Sequence, residues 1–304
     1  MLYIDPNSSK IQKAAYNFLK EIKPRVISKI EDLPEGELKD YFEDNITPKL
    51  NDILVGHPFV IYPLNEVLKN DIDVIPGLKA AVIAVFDYDD FIIKRKKKYC
   101  AYHLAEAINI RSCVYCNLNY AVTIRENGKN LVRPDFDHFL DKSTNPLLSL
   151  SFFNLIPSCG TCNQKLKNTI HFEYGMQQHP YEDDLLDDFH FSYRYNNKSI
   201  DGLEIVLNQE NPEGKIGKSF EDLRMIKIYN GYTQELHDLL KIRQAFSDKY
   251  LSNLGSQVLD GLKISDEELY RLAFGTYISK EDYINRPFSK FKRDILGELG
   301  IIKE

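Results

Sequence analysis

Two pairs of cysteines with metal-binding spacing stand in this chain, with 42 residues between the pairs. In each pair, Cys113–Cys116 and Cys159–Cys162, two residues separate the cysteines, so that a chain reversal directs both thiolates at one ion. The two pairs together complete a tetrahedral four-sulfur site, which is a better explanation of the pattern than chance or a dithiol redox pair. We therefore predict structural zinc, because four protein ligands leave no open coordination position for chemistry.

The fifth cysteine, Cys100, is predicted to be a small core residue on a helix rather than a reactive thiol. An odd cysteine count does not suit a disulfide framework. The first residues lack the basic and apolar regions of a secretory leader, and no apolar run approaches the ~20 residues that span a bilayer. We expect a cytoplasmic protein that does not contact a membrane.

The segment between the cysteine pairs predicts two strands and a helix. Residues 120–124 are rich in β-formers, Asn127-Gly128 is a hairpin turn signal, and residues 131–133 resume an extended pattern that continues into residues 135–138. Residues 141–149 are polar and contain a proline, which predicts a loop with at most a short helix. Residues 163–168 read as the start of a helix.

The order of these motifs resembles the HNH endonucleases, which are ββα-metal nucleases. The resemblance rests on C-x2-C, then Asp137-His138, then Asn154-Leu155, then C-x2-C-Asn163-x-Lys165, and it covers roughly residues 111–170. Within that superfamily the chain is most similar to bacterial members, some of which belong to anti-phage systems. The resemblance implies an enzyme that hydrolyses DNA phosphodiester bonds, and restriction or phage defence as its setting.

The resemblance also implies a role for each matched residue. His138 corresponds to the general base that takes a proton from the attacking water, a task that suits a neutral imidazole. Asp137 and Asn163 correspond to ligands of a catalytic divalent cation, and their oxygen atoms suit Mg²⁺ or Mn²⁺. Asn154 corresponds to the asparagine that braces the intervening loop and orients the base.

Several alternatives stay open at this stage. Asp135 is either a further metal ligand or a solvated residue at a strand edge, and we favour the second. Leu140-Asp141 stands where proline is common in the family, although that position is not catalytic. His171 and His179 match nothing in the family pattern and are expected on the surface or in loops. A zinc-binding module that holds nucleic acid or a partner without chemistry is the alternative function.

The net charge of −6 conceals a strong segregation of charge. Residues 94–170 contain twelve lysines and arginines and five acidic residues, a net charge of +7, which leaves −13 for the rest of the chain. We expect DNA phosphate contacts in this segment, although a run of charges is also typical of a solvated helix face. The basic residues assigned to nucleic-acid binding are Lys94, Arg95, Lys96, Lys97, Lys98, Lys165 and Lys167.

The flanks complete the predicted architecture, an α+β fold with a zinc-stapled ββα-metal core between mainly helical flanks. We predict a helical N-terminal region over 1–98, a nuclease core over 99–180, and a C-terminal region over 181–304. The last region has strands at 189–195 and 203–207, then helices, with a break near Gly231. No Gly-rich phosphate loop is present, so an ATP-driven step would need a partner ATPase or sensor. A homo-oligomer also stays possible.

Overall fold

The computed structural model describes residues 1–93, 98–127, 129–197, 202–208, 213–245 and 265–302. Over these residues the chain combines helices with small antiparallel sheets of two strands each. This mixture agrees with the predicted α+β class. None of the described helices has the length and apolar character that crossing a membrane requires.

The secondary structure begins with helices and alternates with short strands from residue 124 onward. The α-helices are α1 (Ser9–Glu31), α2 (Glu37–Tyr41), α3 (Leu50–Val55), α4 (Pro58–Val74), α5 (Leu78–Val85), α6 (Tyr88–Ile92), α7 (Ala101–Ile108), α8 (Gly214–Asp222), α9 (Met225–Tyr229), α10 (Thr233–Ala245), α11 (Asp266–Phe274) and α12 (Ser289–Glu298). The strands are β1 (Ile124–Glu126), β2 (Lys129–Val132), β3 (Asp135–His138), β4 (Leu155–Ser158), β5 (Phe191–Tyr195) and β6 (Leu203–Leu207). Phe42–Ile46 and Thr161–Lys167 are π-helices, and Thr47–Lys49, Pro146–Leu148, Phe152–Asn154, Asn230–Tyr232 and Lys280–Asn285 are 3-10 helices.

Two compact units make up the chain. One consists of Tyr3–Ile110 and Ala121–Asp183, and the other of Met1–Leu2, Arg111–Tyr120 and Asp184–Glu304. The first unit therefore contains most of the predicted N-terminal region together with most of the predicted nuclease core. The predicted domain boundaries near residues 98 and 180 divide the chain by function, and they stay predictions.

The core of the first unit is built around α1. The side chain of Ser8 caps this helix by accepting a hydrogen bond from the Ile11 backbone N–H. Apolar residues recur every three to four positions along α1, which gives the helix a continuous buried face. At the centre of that face, the Phe18 ring meets Phe91 and Phe152 edge-to-face, with ring centroids 5.8 Å apart in each pair.

The strands of the first unit depart from the predicted pairing. The hairpin around residue 127 is present as β1 and β2. However, its second strand does not continue into Asp135, because Pro134 intervenes and cannot donate a ladder hydrogen bond. Residues 135–138 instead form the separate strand β3, which pairs antiparallel with β4. The two strands that frame the predicted site are thus β3 and β4.

The second unit contains the hairpin of β5 and β6, which agrees with the two predicted strands. The Phe191 ring on β5 lies 4.3 Å from the Tyr229 ring and 5.7 Å from the Phe291 ring of α12, measured between centroids. The predicted break near Gly231 is also present, as the 3-10 turn Asn230–Tyr232 between α9 and α10. This unit therefore has its own aromatic core.

Candidate functional site

The predicted site residues lie on one strand–loop–strand–helix segment of the first unit. Strand β3 carries Asp135, Asp137 and His138, and β4 runs antiparallel to it, with His138 opposite Leu155 and Asp137 opposite Ile156. A loop over 139–154 joins the strands, and the π-helix Thr161–Lys167 follows β4. The helix ends at Asn168, which has a positive φ of 33° that asparagine tolerates better than most residues.

His138 is a buried residue at the end of β3. Its Nε2 lies 3.0 Å from the backbone carbonyl oxygen of Ser149, and its ring meets that of Tyr88 edge-on at 4.4 Å. A carbonyl oxygen only accepts hydrogen bonds, so Nε2 carries a proton and donates it. In a neutral imidazole this leaves Nδ1 as the basic nitrogen.

The surroundings of His138 favour the neutral imidazole. The pKa of His138 is lowered to about 4, chiefly by burial and also by the positive charges of Lys142 and Lys167, against the opposing effect of the bond to Ser149. The side chain is therefore uncharged at neutral pH, with its tautomer fixed by one hydrogen bond. A neutral, oriented imidazole is the form that a general base requires.

Asn154 ties the two ends of the loop together. Its Oδ1 accepts from the Leu140 backbone N–H at 2.9 Å, and its Nδ2 donates to the carbonyl oxygens of Leu140 and Leu148 at 3.0 and 3.2 Å. The Tyr62 hydroxyl donates a further bond to Oδ1 at 3.1 Å. The residue is 0 % exposed, so these four bonds satisfy the amide and hold the loop that presents Ser149 to His138.

Asp137 forms a buried ion pair that the sequence did not predict. The Nζ of Lys167 lies 3.1 Å from Oδ1 and 2.9 Å from Oδ2 of Asp137, and 2.5 Å from the carbonyl oxygen of His138. The two side chains are only 4 % and 7 % exposed. The Lys167 ammonium also lies 4.8 Å from the centre of the Phe172 ring. Lys167, assigned from the sequence to DNA phosphate, is thus turned inward toward Asp137.

Asn163 lies beside the other carboxylate of β3. Its Nδ2 donates to Oδ2 of Asp135 at 3.3 Å, and Nε2 of Gln164 donates to the same oxygen at 2.8 Å. Residues two apart on a strand share a face, so Asp135 and Asp137 both turn toward the π-helix. Asp135, for which a solvated position at a strand edge was favoured, is half-buried and connects the strand to the helix through these two bonds.

The side-chain oxygens of Asp137 and Asn163 are of the type that binds a hard divalent cation. Carboxylate and amide oxygens are the ligands that Mg²⁺ and Mn²⁺ take, and the amide of Asn163 has its nitrogen directed at Asp135, which leaves its oxygen as the ligand atom. Both oxygens of Asp137 already have a cationic partner, the Lys167 ammonium.

The four predicted zinc ligands are brought together. The Sγ atoms of the cysteines all lie within 4.8 Å of one another, and each of the four residues is buried: Cys113, Cys116, Cys159 and Cys162. Zinc–sulfur bonds of about 2.3 Å in a tetrahedron need sulfurs roughly 4 Å apart, so the cluster has the dimensions of a zinc site. The sulfur pattern is the one feature of the predicted site that the sequence located fully. Cys100 lies outside it and is buried, as expected.

Of the residues predicted to bind phosphate, the three that the structure describes do not share one environment: Lys98, Lys165 and Lys167. Lys94, Arg95, Lys96 and Lys97 lie outside the described residues. Lys98 pairs with Asp90 at 3.0 Å, and Lys165 is exposed on the π-helix. Among other basic residues of the segment, Lys142 pairs with Asp89 and Arg125 with Glu106. Part of the positive charge of residues 94–170 is thus neutralised locally.

Sequence reasoning missed two further polar groups near the loop. His179, expected on the surface or in a loop, lies in a loop but is only 1 % exposed, and its Nε2 lies 2.8 Å from the Tyr62 hydroxyl that supports Asn154. Asp141 accepts hydrogen bonds from Ser143, Thr144 and His171, and although burial alone would raise its pKa, these bonds hold the pKa of Asp141 well below its usual range. The contacts of His179 with Tyr62 and of His171 with Asp141 join distant residues and leave no local sequence signal.

A cleft lies next to this loop. It has a volume of about 570 Å³, and its wall includes Leu140 and Asp141 from the loop, His171 and Phe172 beyond the π-helix, and Tyr62 on α4. Its size is in the range of small-ligand sites. Phe172 lines the cleft, and the centre of its ring lies 4.8 Å from the Lys167 ammonium of the ion pair.

Comparison with known proteins yields no relatives. The chain matches no protein-family model, no curated protein and no solved structure.

Proposed function

We propose that the protein is a metal-dependent endonuclease of the HNH type that hydrolyses phosphodiester bonds in DNA. The observation that carries the proposal is the orientation of His138. A buried imidazole donates from Nε2 to the Ser149 carbonyl and keeps Nδ1 basic, beside an aspartate on the same strand. A histidine that served only packing would not need a neighbouring carboxylate and a braced loop.

In the proposed reaction, Nδ1 of His138 accepts a proton from the water that attacks the scissile phosphorus. Asp137 and Asn163 would hold the divalent ion, which supplies charge stabilisation to the phosphate and to the departing 3′ oxygen. Asn154 acts indirectly, because it holds the loop that carries the Ser149 carbonyl. The cysteine cluster would be structural, since Cys162 anchors the first turn of the helix that bears Asn163.

The proposal includes DNA as the substrate and phage defence as the biological setting. Both follow from the resemblance to the HNH endonucleases. Supercoiled plasmid and a single-stranded RNA of matched sequence, each incubated with Mg²⁺, Mn²⁺ or EDTA, test the substrate class. We expect nicked and linear plasmid with either metal, none with EDTA, and slower or no RNA cleavage. Cleavage of RNA alone would replace DNA as the substrate, and cleavage in EDTA would exclude the metal-dependent mechanism.

A second candidate function is a zinc-containing module that binds nucleic acid without cutting it. The buried Lys167–Asp137 pair favours it, because the carboxylate already has a cationic partner. This alternative predicts salt-sensitive DNA binding with no cleavage product under any metal condition. The plasmid assay, run beside a binding assay in low and high salt, separates the two functions.

A further inference from the structure

The pair formed by Lys167 and Asp137 sits where the proposed metal ion would bind. Both carboxylate oxygens of Asp137 lie within 3.1 Å of the Lys167 Nζ. A magnesium or manganese ion bound to one of these oxygens at about 2.1 Å would lie within a few ångströms of that ammonium. In a site this buried the repulsion between the two cations is strong, so binding of the metal ion competes with the Lys167 ammonium for the carboxylate.

The ammonium is also well placed to leave. Lysine carries a compact charge on a flexible four-carbon stem, in contrast to the rigid fork of arginine. Lys167 is the last residue of the π-helix, directly before Asn168 with its positive φ. It contacts the carbonyl oxygen of His138 as well as Asp137. Its withdrawal would therefore release the backbone of the proposed base together with the carboxylate.

We propose that Lys167, which pairs with Asp137 in this structure, is a positioning residue that is exchanged for the divalent ion when the site is loaded. The exchange is a displacement without covalent change, in which the carboxylate trades a monovalent partner for a divalent one. Lys167 then sets the metal concentration that the site requires. This inference rests on the proposed function, because it takes Asp137 as a ligand of the ion.

Lysine labelling of the intact wild-type protein tests the exchange directly. In the structure Lys167 is 3 % exposed, whereas Lys165 on the same helix is exposed. An amine-acylating reagent followed by mass spectrometry should modify Lys167 slowly without metal and about tenfold faster at saturating Mn²⁺, with Lys165 as the internal control. Equal protection of Lys167 with and without bound Mn²⁺ would overturn the proposal.

Mn²⁺ affinity of variants, read by electron paramagnetic resonance, provides a second and independent measurement. Lys167→Met removes the competing cation and leaves a carboxylate that gains more from a metal ion, so we expect binding about tenfold tighter than in the wild type. Lys165→Met is the matched control and should bind Mn²⁺ as the wild type does. Lys167→Arg keeps the charge and should stay near the wild-type affinity or below it. Unchanged affinity in Lys167→Met would contradict the exchange.

The two proposals fail in different ways. If the wild type cuts plasmid and binds Mn²⁺ through Asp137 while Lys167 stays protected, the exchange is wrong and the nuclease stands. If Mn²⁺ exposes Lys167 but no DNA is cut, the exchange stands and the nuclease does not. If Lys167→Met does not fold, the labelling of the wild type alone decides the matter. If the wild type binds no Mn²⁺, the exchange and the metal part of the mechanism both fall.

Discussion

The Nε2 atom of His138 lies 3.0 Å from the backbone carbonyl oxygen of Ser149, eleven residues further along the chain. This bond crosses the loop between β3 and β4 and fixes which ring nitrogen is basic. The same loop is closed by the side chain of Asn154. The chemical state of the proposed base therefore depends on a loop whose conformation is set by a different buried residue.

The low pKa of His138 predicts a stability that declines in mild acid. The pKa is about 4 in the folded protein, against about 6.5 in an unfolded chain, so the unfolded state binds more protons between these values. The contribution of the neutral His138 side chain to the free energy of unfolding is complete above pH 6.5 and is lost as the pH falls toward 4. It amounts to roughly 2 kcal/mol between pH 7 and pH 5. Thermal or urea unfolding at the two pH values measures it.

His138→Gln is the control for that measurement, because the amide does not titrate in this range. The free energy of unfolding should therefore fall less between pH 7 and pH 5 in the variant than in the wild type, by roughly 2 kcal/mol. The difference between the two proteins cancels contributions from cysteine ligands and carboxylates. Equal losses in both proteins would contradict a neutral, buried His138.

Truncation of the Asn154 side chain is expected to lower the stability of the fold strongly. Replacing it with alanine removes four hydrogen bonds and leaves the backbone groups of Leu140 and Leu148 unsatisfied in the interior. We expect the free energy of unfolding to fall by about 3 kcal/mol, with a loss of cleavage in the protein that remains folded. Asn7→Ala, at an exposed asparagine, should change stability by less than about 0.5 kcal/mol. A loss of the same size in both variants would contradict the bracing role.

The sequence predicted elements and local motifs better than contacts across the fold. The cysteine pairs, the helical flanks, the strands at 191–195 and 203–207 and the turn near Gly231 all carry local signals, and the structure has each of them. The pairing of β3 with β4 was missed because the Asn127-Gly128 hairpin offered a nearer partner. The Lys167–Asp137 pair joins residues 30 apart, and a lysine that turns inward has the same sequence signature as one that reaches for phosphate.

The cysteine cluster predicts one zinc ion per chain. Cys162→Ser should remove it, since a serine hydroxyl is a poor replacement for a thiolate at a four-sulfur site, and should destabilise the fold by more than about 3 kcal/mol. Elemental analysis and unfolding experiments measure the two effects. Cys100→Ser, at a buried cysteine outside the cluster, should keep its zinc. Zinc retained in Cys162→Ser, or absent from the wild type, would contradict the structural site.

The most direct test of the proposed function is the single-turnover rate of plasmid cleavage by the wild type and by His138→Ala in the same Mg²⁺ or Mn²⁺ buffer. His171→Ala, at a histidine whose side chain is 62 % exposed and bonded to Asp141, is the matched control. We predict that His138→Ala keeps its zinc and its fold but loses at least a hundredfold in rate, the contribution typical of a general base, while His171→Ala cuts at a rate close to that of the wild type. A His138→Ala protein that cuts as fast as the wild type would contradict the account.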